Sequence, residues 1–399
     1  MPMTSTTENL KVISAIFANP QIIMAKPSVN LFLYNYLRKF RVKDIGGNLF
    51  LHSHLPPLNS KAYSRFINEH LLIKGAGPSH AQIGITNACP QDCEYCYNKN
   101  RAGRVMDKET IKTTIRDLKK IGVFWIGLTG GEPLLNKNLV EIVETIGDDC
   151  SSKLFTTGCT LTKQLATDLK NAGLVSVSIS LDHWKEAEHN KIRRYKGAFQ
   201  IALDAIEIFK NTDGMHISVS AVLSKEMLKQ VLIEEYLEFL EARGVHEAWL
   251  SETKPSVAAY WKKELVISEE ERTMLIQLQD RYNKQGKMTV NYLGHFEDAQ
   301  HFGCSAGHKM VYVDAFGEAS PCVFIPITFG NVKENSIKEI VSKMRQHFPT
   351  ENCCFMNKNF ERLQRFSDNQ LPVGKEVSIK MLEEIEFGPL PKFFQLQYK

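Results

Sequence analysis

Cys89, Cys93 and Cys96 stand in the run Thr86-Asn87-Ala88-Cys89-Pro90-Gln91-Asp92-Cys93-Glu94-Tyr95-Cys96-Tyr97. Three thiols at C-x3-C-x2-C spacing can grip three irons of a [4Fe-4S] cubane and leave the fourth iron without a protein ligand. Clusters that only carry electrons are normally held by four thiolates. A missing fourth ligand implies a metal group that binds something else, as an open zinc site does for its substrate. Two other chemistries use such thiols. A zinc knuckle would need a fourth Cys or His close by, yet His80 lies ahead of the first strand and nothing follows until Cys150. Disulfides fit poorly with nine cysteines, an odd count, in a chain without a secretory signal pattern.

A second motif, Thr129-Gly130-Gly131-Glu132-Pro133, directly follows a later apolar run. Glycines at the carboxyl end of a strand let backbone come close to a ligand, because no Cβ intervenes. A carboxylate there can accept hydrogen bonds from an ammonium group. Taken alone, the turn equally suits a tight connection with a surface glutamate. Taken with the cysteine triplet and the aromatic Tyr95 before its last cysteine, it resembles the motifs of the radical S-adenosylmethionine (radical SAM) enzymes.

That resemblance implies that Cys89, Cys93 and Cys96 hold a [4Fe-4S] cluster whose open iron is chelated by S-adenosyl-L-methionine, with Gly130, Gly131 and Glu132 at the cofactor's amino group. Thr156-Thr157-Gly158 stands where relatives often show Thr-Asn-Gly, so Thr157 replaces the asparagine. Ser178-Ile179-Ser180-Leu181-Asp182 and then His189-Asn190, Arg193, Gly197 and Phe199 continue the family order. By resemblance, Ser180 and Arg193 are candidates for the cofactor's carboxylate, with Arg193 preferred to Arg194, since a guanidinium grips a carboxylate with two prongs. As plain structure, either would be an N-cap or a surface charge. Leu223 falls where relatives offer apolar contact to adenine.

A third constellation is C-terminal: Cys304-Ser305-Ala306-Gly307, Asp314, Gly317, Pro321-Cys322 and Gly330-Asn331. It resembles the auxiliary-cluster extension called SPASM or, in its shorter form, twitch, in which a hairpin and a later helix hold a second [4Fe-4S] cluster. The dense C-x2-C-x5-C run of the full version is missing and Cys353-Cys354 stands alone, so a single auxiliary cluster fits better than two. Adjacent cysteines point in divergent directions. Either Cys353 and Cys354 both ligate through a bent backbone, or one is spare and an iron is open. The bland alternative is that Cys304, Cys322, Cys353 and Cys354 are buried apolar cysteines. Cys150 and Cys159 read as structural.

These motifs need elements to position them. From residue 80 to about 250, short apolar runs alternate with helical stretches, the signature of βα units around a parallel sheet. Strands are expected at 82–86, 123–129, 153–157, 175–181, 216–223 and 246–251, with helices at 108–121, 162–172, 197–210 and 225–243. Ligands then belong at the carboxyl ends of the strands, where Glu252, Thr253 and Lys254 are candidates to face substrate. Beyond lie a helix at 268–286, a hairpin of 310–314 with 318–323, a helix at 336–346, and two weak helical patterns in the tail. Six strands with crossover helices make a six-unit open barrel or a doubly wound sheet; with the resemblance, the expected fold class is α/β: a partial (βα)6 radical SAM barrel with a small C-terminal α+β auxiliary-cluster domain. The expected division is 1–79, a mostly helical extension; 80–255, the barrel; 256–356, the twitch/SPASM-like region; and 357–399, the tail.

Composition sets outer bounds. Hydrophobic content of 43% and charged content of 24% in 399 residues are ordinary for a globular protein. A formal net charge of +4 with Lys and Arg spread along the chain gives no argument for nucleic acid. The apolar stretch 12–37 is interrupted by Asn19-Pro20, Lys26-Pro27 and Asn30, short of the ~20 residues that span a bilayer. With no signal pattern either, a cytoplasmic location is expected. Residues 30–39 could form an amphipathic helix, packed on the domain or a partner; peripheral membrane contact is the less favoured reading.

The resemblance further implies an enzyme of oxidoreductase type. One electron, from reduced flavodoxin or ferredoxin, enters the first cluster and cleaves the cofactor to a 5′-deoxyadenosyl radical. That radical takes a hydrogen atom from a peptide or small-molecule substrate, and the auxiliary cluster assists oxidation or cross-linking. A redox-neutral radical cyclisation or rearrangement is the alternative within enzymes. A non-catalytic iron–sulfur electron carrier is the alternative outside them, and the Gly-Gly-Glu-Pro turn argues against it, because a carrier needs no methionine-binding site.

Overall fold

A computed structural model describes residues 14, 16, 19–73, 75–367 and 371–398. Strands covered on both faces must be apolar almost throughout, and β4 (Trp125–Thr129), Trp-Ile-Gly-Leu-Thr, is buried at every position. After a small hairpin of β1 (Lys43–Ile45) and β2 (Asn48–Phe50), the six expected strands are β3 (His80–Gly84), β4, β5 (Ser151–Thr156), β6 (Ser176–Ser180), β7 (His216–Leu223) and β8 (Glu247–Glu252). They lie side by side in sequence order, all parallel. The crossover helices show why they form. Lys108–Lys120 is N-capped by Asp107, whose carboxylate accepts from the Thr110 N–H, and buries Ile111, Ile115 and Leu118 on one face.

The sheet is wider than six strands. β9 (Thr289–Tyr292) adds in parallel beside β8, and β10 (Met310–Val313) adds in parallel beside β3, with Val311 opposite Ala81. β11 (Ala319–Ser320) closes the edge as the antiparallel partner of β10. The expected hairpin therefore exists, but it extends the barrel sheet, and no break falls at residue 256. The helix Phe355–Phe366 likewise runs across the division expected at 356, and the tail holds Lys375–Glu383 and Lys392–Tyr398 as well.

In the N-terminal extension, the helix Pro27–Leu37 buries Val29, Leu33, Tyr36 and Leu37. Its rings meet the C-terminal tail and a neighbouring loop: Phe32 lies 5.5 Å from both Phe302 and Phe393. The stripe at 30–39 thus packs on the protein. Residues 12, 13, 15, 17 and 18 of the longer apolar stretch lie outside the described residues. Among the described residues no helix is long and apolar enough to cross a membrane.

The same extension fills the space at the amino ends of the strands. Trp125 donates through Nε1 to the Ser53 carbonyl at 2.8 Å, Lys153 Nζ reaches Ser53 Oγ at 2.5 Å, and the Ser53 N–H donates to Glu247 at 2.7 Å. His54 stacks between Trp125 and Trp249. Burial pushes Lys153 down to about 8 and His52 to about 4. One end of the strands is occupied by the protein itself, and the opening is at the other.

Candidate active site and second thiol group

A cavity of about 390 Å³ lies at the carboxyl ends of the strands. Cys89, Cys93 and Cys96 line it, on a loop without regular structure between β3 and the helix Lys108–Lys120. Such a loop needs outside anchors, and the Gly-Gly-Glu turn supplies the first. Gly131 N–H donates to the Thr86 carbonyl and Glu132 N–H to the Ala88 carbonyl, each at 2.7 Å. A Cβ on Gly130 would stand 2.2 Å from the Thr86 oxygen, and one on Gly131 2.2 Å from the Ala88 oxygen. Gly130 also has φ +127. Both glycines border the cavity, yet the close approach they permit is to the chain entering the cysteine loop.

Glu132 differs from its expected placement. Its carboxylate is fully buried and does not line the cavity. Oε1 accepts from Leu134 N–H at 3.0 Å and Thr156 Oγ1 at 2.6 Å; Oε2 accepts from Thr157 N–H at 2.6 Å and Thr157 Oγ1 at 2.5 Å. Burial pushes its pKa up, against the pull of these donors. The carboxylate pins the turn after β4 to the end of β5, and four donors already occupy its two oxygens. Thr157, in the position where asparagine was expected, serves that pin while also lining the cavity.

A second anchor centres on Arg193. It lines the cavity, as does half-buried Ser180. Arg193 Nε stands 2.8 Å from Asp182, whose carboxylate also accepts from Tyr95 Oη at 2.6 Å. The guanidinium lies over the Tyr95 ring, and Nη1 is 3.8 Å from Cys93 Sγ. Arg193 is thus built into the site, whereas Arg194 pairs with Asp92 and Glu94 at the surface. A third anchor was not foreseen. Arg101 Nη1 meets Asp314 at 2.8 Å with both side chains buried, and Tyr312 donates to Asn98 at 2.8 Å. The β10–β11 hairpin therefore clamps the loop that carries the cysteines. Asp314 stood out in the sequence, but nothing there named its partner. Leu223 is buried away from the cavity, which its neighbour Val222 lines instead.

The thiols suit a shared metal group. Burial raises Cys93 and Cys96 and pushes Cys89 up to about 12. Opposing it are N–H groups aimed at sulfur, from Gln91 to Cys89 and from Asn98 and Lys99 to Cys96, and the Arg193 charge beside Cys93. Bound metal stabilises thiolates outright and reverses the effect of burial. Among the described residues no group of three or more His, Cys, Asp or Glu side chains is gathered tightly enough to hold a single metal ion.

The later cysteines form a second group. Cys304 is tied to Glu351, its N–H donating to that carbonyl at 2.8 Å; Cys322 follows β11; Cys354 is the N-cap residue of Phe355–Phe366. Cys304 and Cys354 are buried in the core and half-buried Cys322 packs against it, and Glu297 acts electrostatically on all three. Each also receives backbone N–H groups at sulfur, from Phe355 and Ala306, from Phe324, and from Asn357 respectively. Cys353 is half-buried where Cys354 is buried, and it feels Glu351 and Lys358 as well as Cys354 and Arg272. Val323 and Phe324, next to Cys322, border the cavity, and so does Lys254. Lys254 is 3% exposed, with Nζ 2.7 Å from both Glu252 and Glu297. Of the three residues expected to face substrate, Lys254 lines the cavity, and Glu252 and Thr253 do not.

Comparison with known proteins bears on this arrangement. The Radical SAM superfamily matches residues 83–226, and the SPASM family, described as an iron–sulfur cluster-binding domain, matches residues 304–368. The chain carries a radical SAM domain and a SPASM domain. [4Fe-4S] clusters and S-adenosyl-L-methionine are the groups these domains imply, and both sets of thiols fit them. The AdoMet-dependent heme synthase of Methanosarcina barkeri is 26% identical over 282 residues, covering 64% of this chain and 80% of that protein. The PqqA peptide cyclase of Bradyrhizobium diazoefficiens is 26% identical over 227 residues, covering 54% of this chain and 58% of that protein. The radical SAM chain thus spans less than two thirds of the cyclase. Streptococcus suis SuiB, solved bound to precursor peptide SuiA, superposes with a TM-score of 0.54 at 16% identity, over 70% of this chain and 67% of SuiB. At that identity the likeness speaks for the fold alone.

Proposed function

We propose that this enzyme carries out an oxidative radical modification, a cross-link or desaturation, on a peptide held between the two thiol groups. The observation that carries the reading is one cavity bordered by Cys89, Cys93 and Cys96 and by Val323, Phe324 and Lys254 beside the second group. Similarity to a peptide cyclase supports peptide as the substrate class. When bound, the cofactors supply reductive cleavage of S-adenosyl-L-methionine, removal of a substrate hydrogen atom, and a second cluster able to take up the electron the substrate radical gives up. The chain's residues provide placement. Gly130, Gly131, Thr157, Ser180 and Arg193 are proposed to receive the cofactor's methionine end. Aromatic walls at Tyr95, Phe155, Trp249 and Phe324 exclude water, which would otherwise intercept reactive intermediates. Reduced flavodoxin or ferredoxin is the proposed electron source.

The test is anaerobic turnover of the reconstituted enzyme with S-adenosyl-L-methionine, a reductant, and a short peptide encoded beside its gene. Deoxyadenosine and a peptide lighter by two hydrogens are expected. With Cys304→Ala plus Cys322→Ala, deoxyadenosine should still form while finished product is largely lost. Normal product from that double variant would exclude a role for the second group in oxidation. Product from a small molecule in place of every peptide tried would move the substrate class toward that of the heme synthase relative.

A further inference from the structure

Lys254 is a buried cation set between two carboxylates. It follows β8 at the mouth of the sheet, is buried, and still lines the cavity. Its ammonium is held at 2.7 Å by Glu252 on one side and by Glu297 on the other. Both carboxylates lead to the second thiol group. Glu252 lies 3.5 Å from Asn357 Nδ2, in the first turn of the helix that Cys354 caps. Glu297 stands seven positions before Cys304 in sequence and acts on Cys304, Cys322 and Cys354 together. Cys354 and Cys322 also lie close enough to Lys254 to couple with it electrostatically. Arg272 adds a second cation, and the buried Tyr292 hydroxyl faces the same charges.

Net charge and hydrogen bonds around an iron–sulfur cluster set its reduction potential, and charges removed from water act over longer range than at the surface. A cation beside the cluster stabilises the extra electron of the reduced form. A carboxylate does the opposite. We infer that Lys254 is a positioning residue of the second centre: its clamped ammonium raises the potential of the cluster held by Cys304, Cys322 and Cys354, and Glu297 counterweights it. The inference rests on the proposed reading that those thiols hold a cluster. It goes further in naming the side chains that make the cluster an acceptor. The balance is one electron from the substrate radical to the oxidised cluster, with one proton released as the new bond forms.

The experiment follows the second centre alone, in the full-length protein carrying Cys89→Ala, Cys93→Ala and Cys96→Ala, by redox titration with detection by electron paramagnetic resonance. Lys254→Met should lower the midpoint potential, Glu297→Gln should raise it, and Lys254→Arg should leave it near the parent value. Potentials that do not move, or that move in the same direction for Lys254→Met and Glu297→Gln, overturn the inference. If Lys254→Met fails to assemble the centre, Glu297→Gln decides: an upward shift supports the inference and no shift defeats it. Absence of any cluster signal in the parent removes the proposed second centre itself, and the inference with it, an outcome distinct from an unmoved potential.

Discussion

Cys89, Cys93 and Cys96 sit within one short loop, whereas Cys304, Cys322 and Cys354 arrive from three separate segments. The first group is close in sequence but poorly supported by regular structure. It depends on the Gly130-Gly131 turn, the Asp182–Arg193 pair and the Arg101–Asp314 pair to hold its shape. The second group is distant in sequence but each thiol leans on a regular element: the Cys304–Glu351 bridge, the end of the β10–β11 hairpin, the start of Phe355–Phe366. A local motif advertises its chemistry and hides its scaffold; a dispersed site does the reverse. The two groups should therefore fail differently when perturbed.

The largest contrast lies in the thiols of the first group. Cys89→Ala with Cys93→Ala and Cys96→Ala should remove about half of the roughly eight irons expected from two cubanes and abolish cleavage of S-adenosyl-L-methionine. Iron assay and deoxyadenosine release measure both. Persistent cleavage would defeat the assignment of that loop. The second contrast separates neighbours. Cys354→Ser should cost the second centre, while Cys353→Ser, at a half-buried thiol beside Glu351 and Lys358, should keep its iron and its spectrum. Equal loss in both variants would mean that the pair ligates together.

The third contrast probes the scaffold of the first group. Arg101 and Asp314 are buried as a pair. Removing one partner of such a pair leaves an uncompensated charge and costs about 3–5 kcal/mol. Asp314→Asn should lower the thermal unfolding midpoint of the whole protein, because the hairpin belongs to the main sheet. If the clamp is as specific as the geometry indicates, iron retention at Cys89, Cys93 and Cys96 should fall further than at the second group.

What could be read from sequence follows the same division. The six strands β3 to β8 were legible because each is a short stretch carrying buried apolar residues, set off from the next by a helical stretch. β9 and the parallel pairing of β10 were not, since four residues carry little pattern and their partners lie far along the chain. Lys153 and Glu247 inside strands gave no warning that they would meet Ser53 from the N-terminal extension. The different burial of Cys353 and Cys354 depended on the start of Phe355–Phe366, where Phe355 packs on Phe348 and Phe387. The aim of Glu132 depended on Thr156 and Thr157 of the next strand, and spacing alone could not supply it.

That last point yields the smallest and sharpest test. Glu132 offers two oxygens to four donors, two of them backbone N–H groups of Leu134 and Thr157 on different oxygens. An amide in place of the carboxylate keeps one oxygen, so one of those N–H groups must face an NH2. The threonine hydroxyls can turn and accept; a backbone N–H cannot. Leaving a buried donor unpaired costs about 1–3 kcal/mol. Glu132→Gln should therefore lower the melting temperature of the cofactor-free protein, with both thiol groups still able to assemble clusters. Affinity for S-adenosyl-L-methionine should fall secondarily, as the end of β5 loosens, and Thr157→Val should reproduce a milder form of the same loss. A direct bond from Glu132 to the cofactor's ammonium predicts the opposite ordering: weaker binding at an unchanged melting temperature. Calorimetry of the unliganded variant and cofactor titration, read together, tell the two apart.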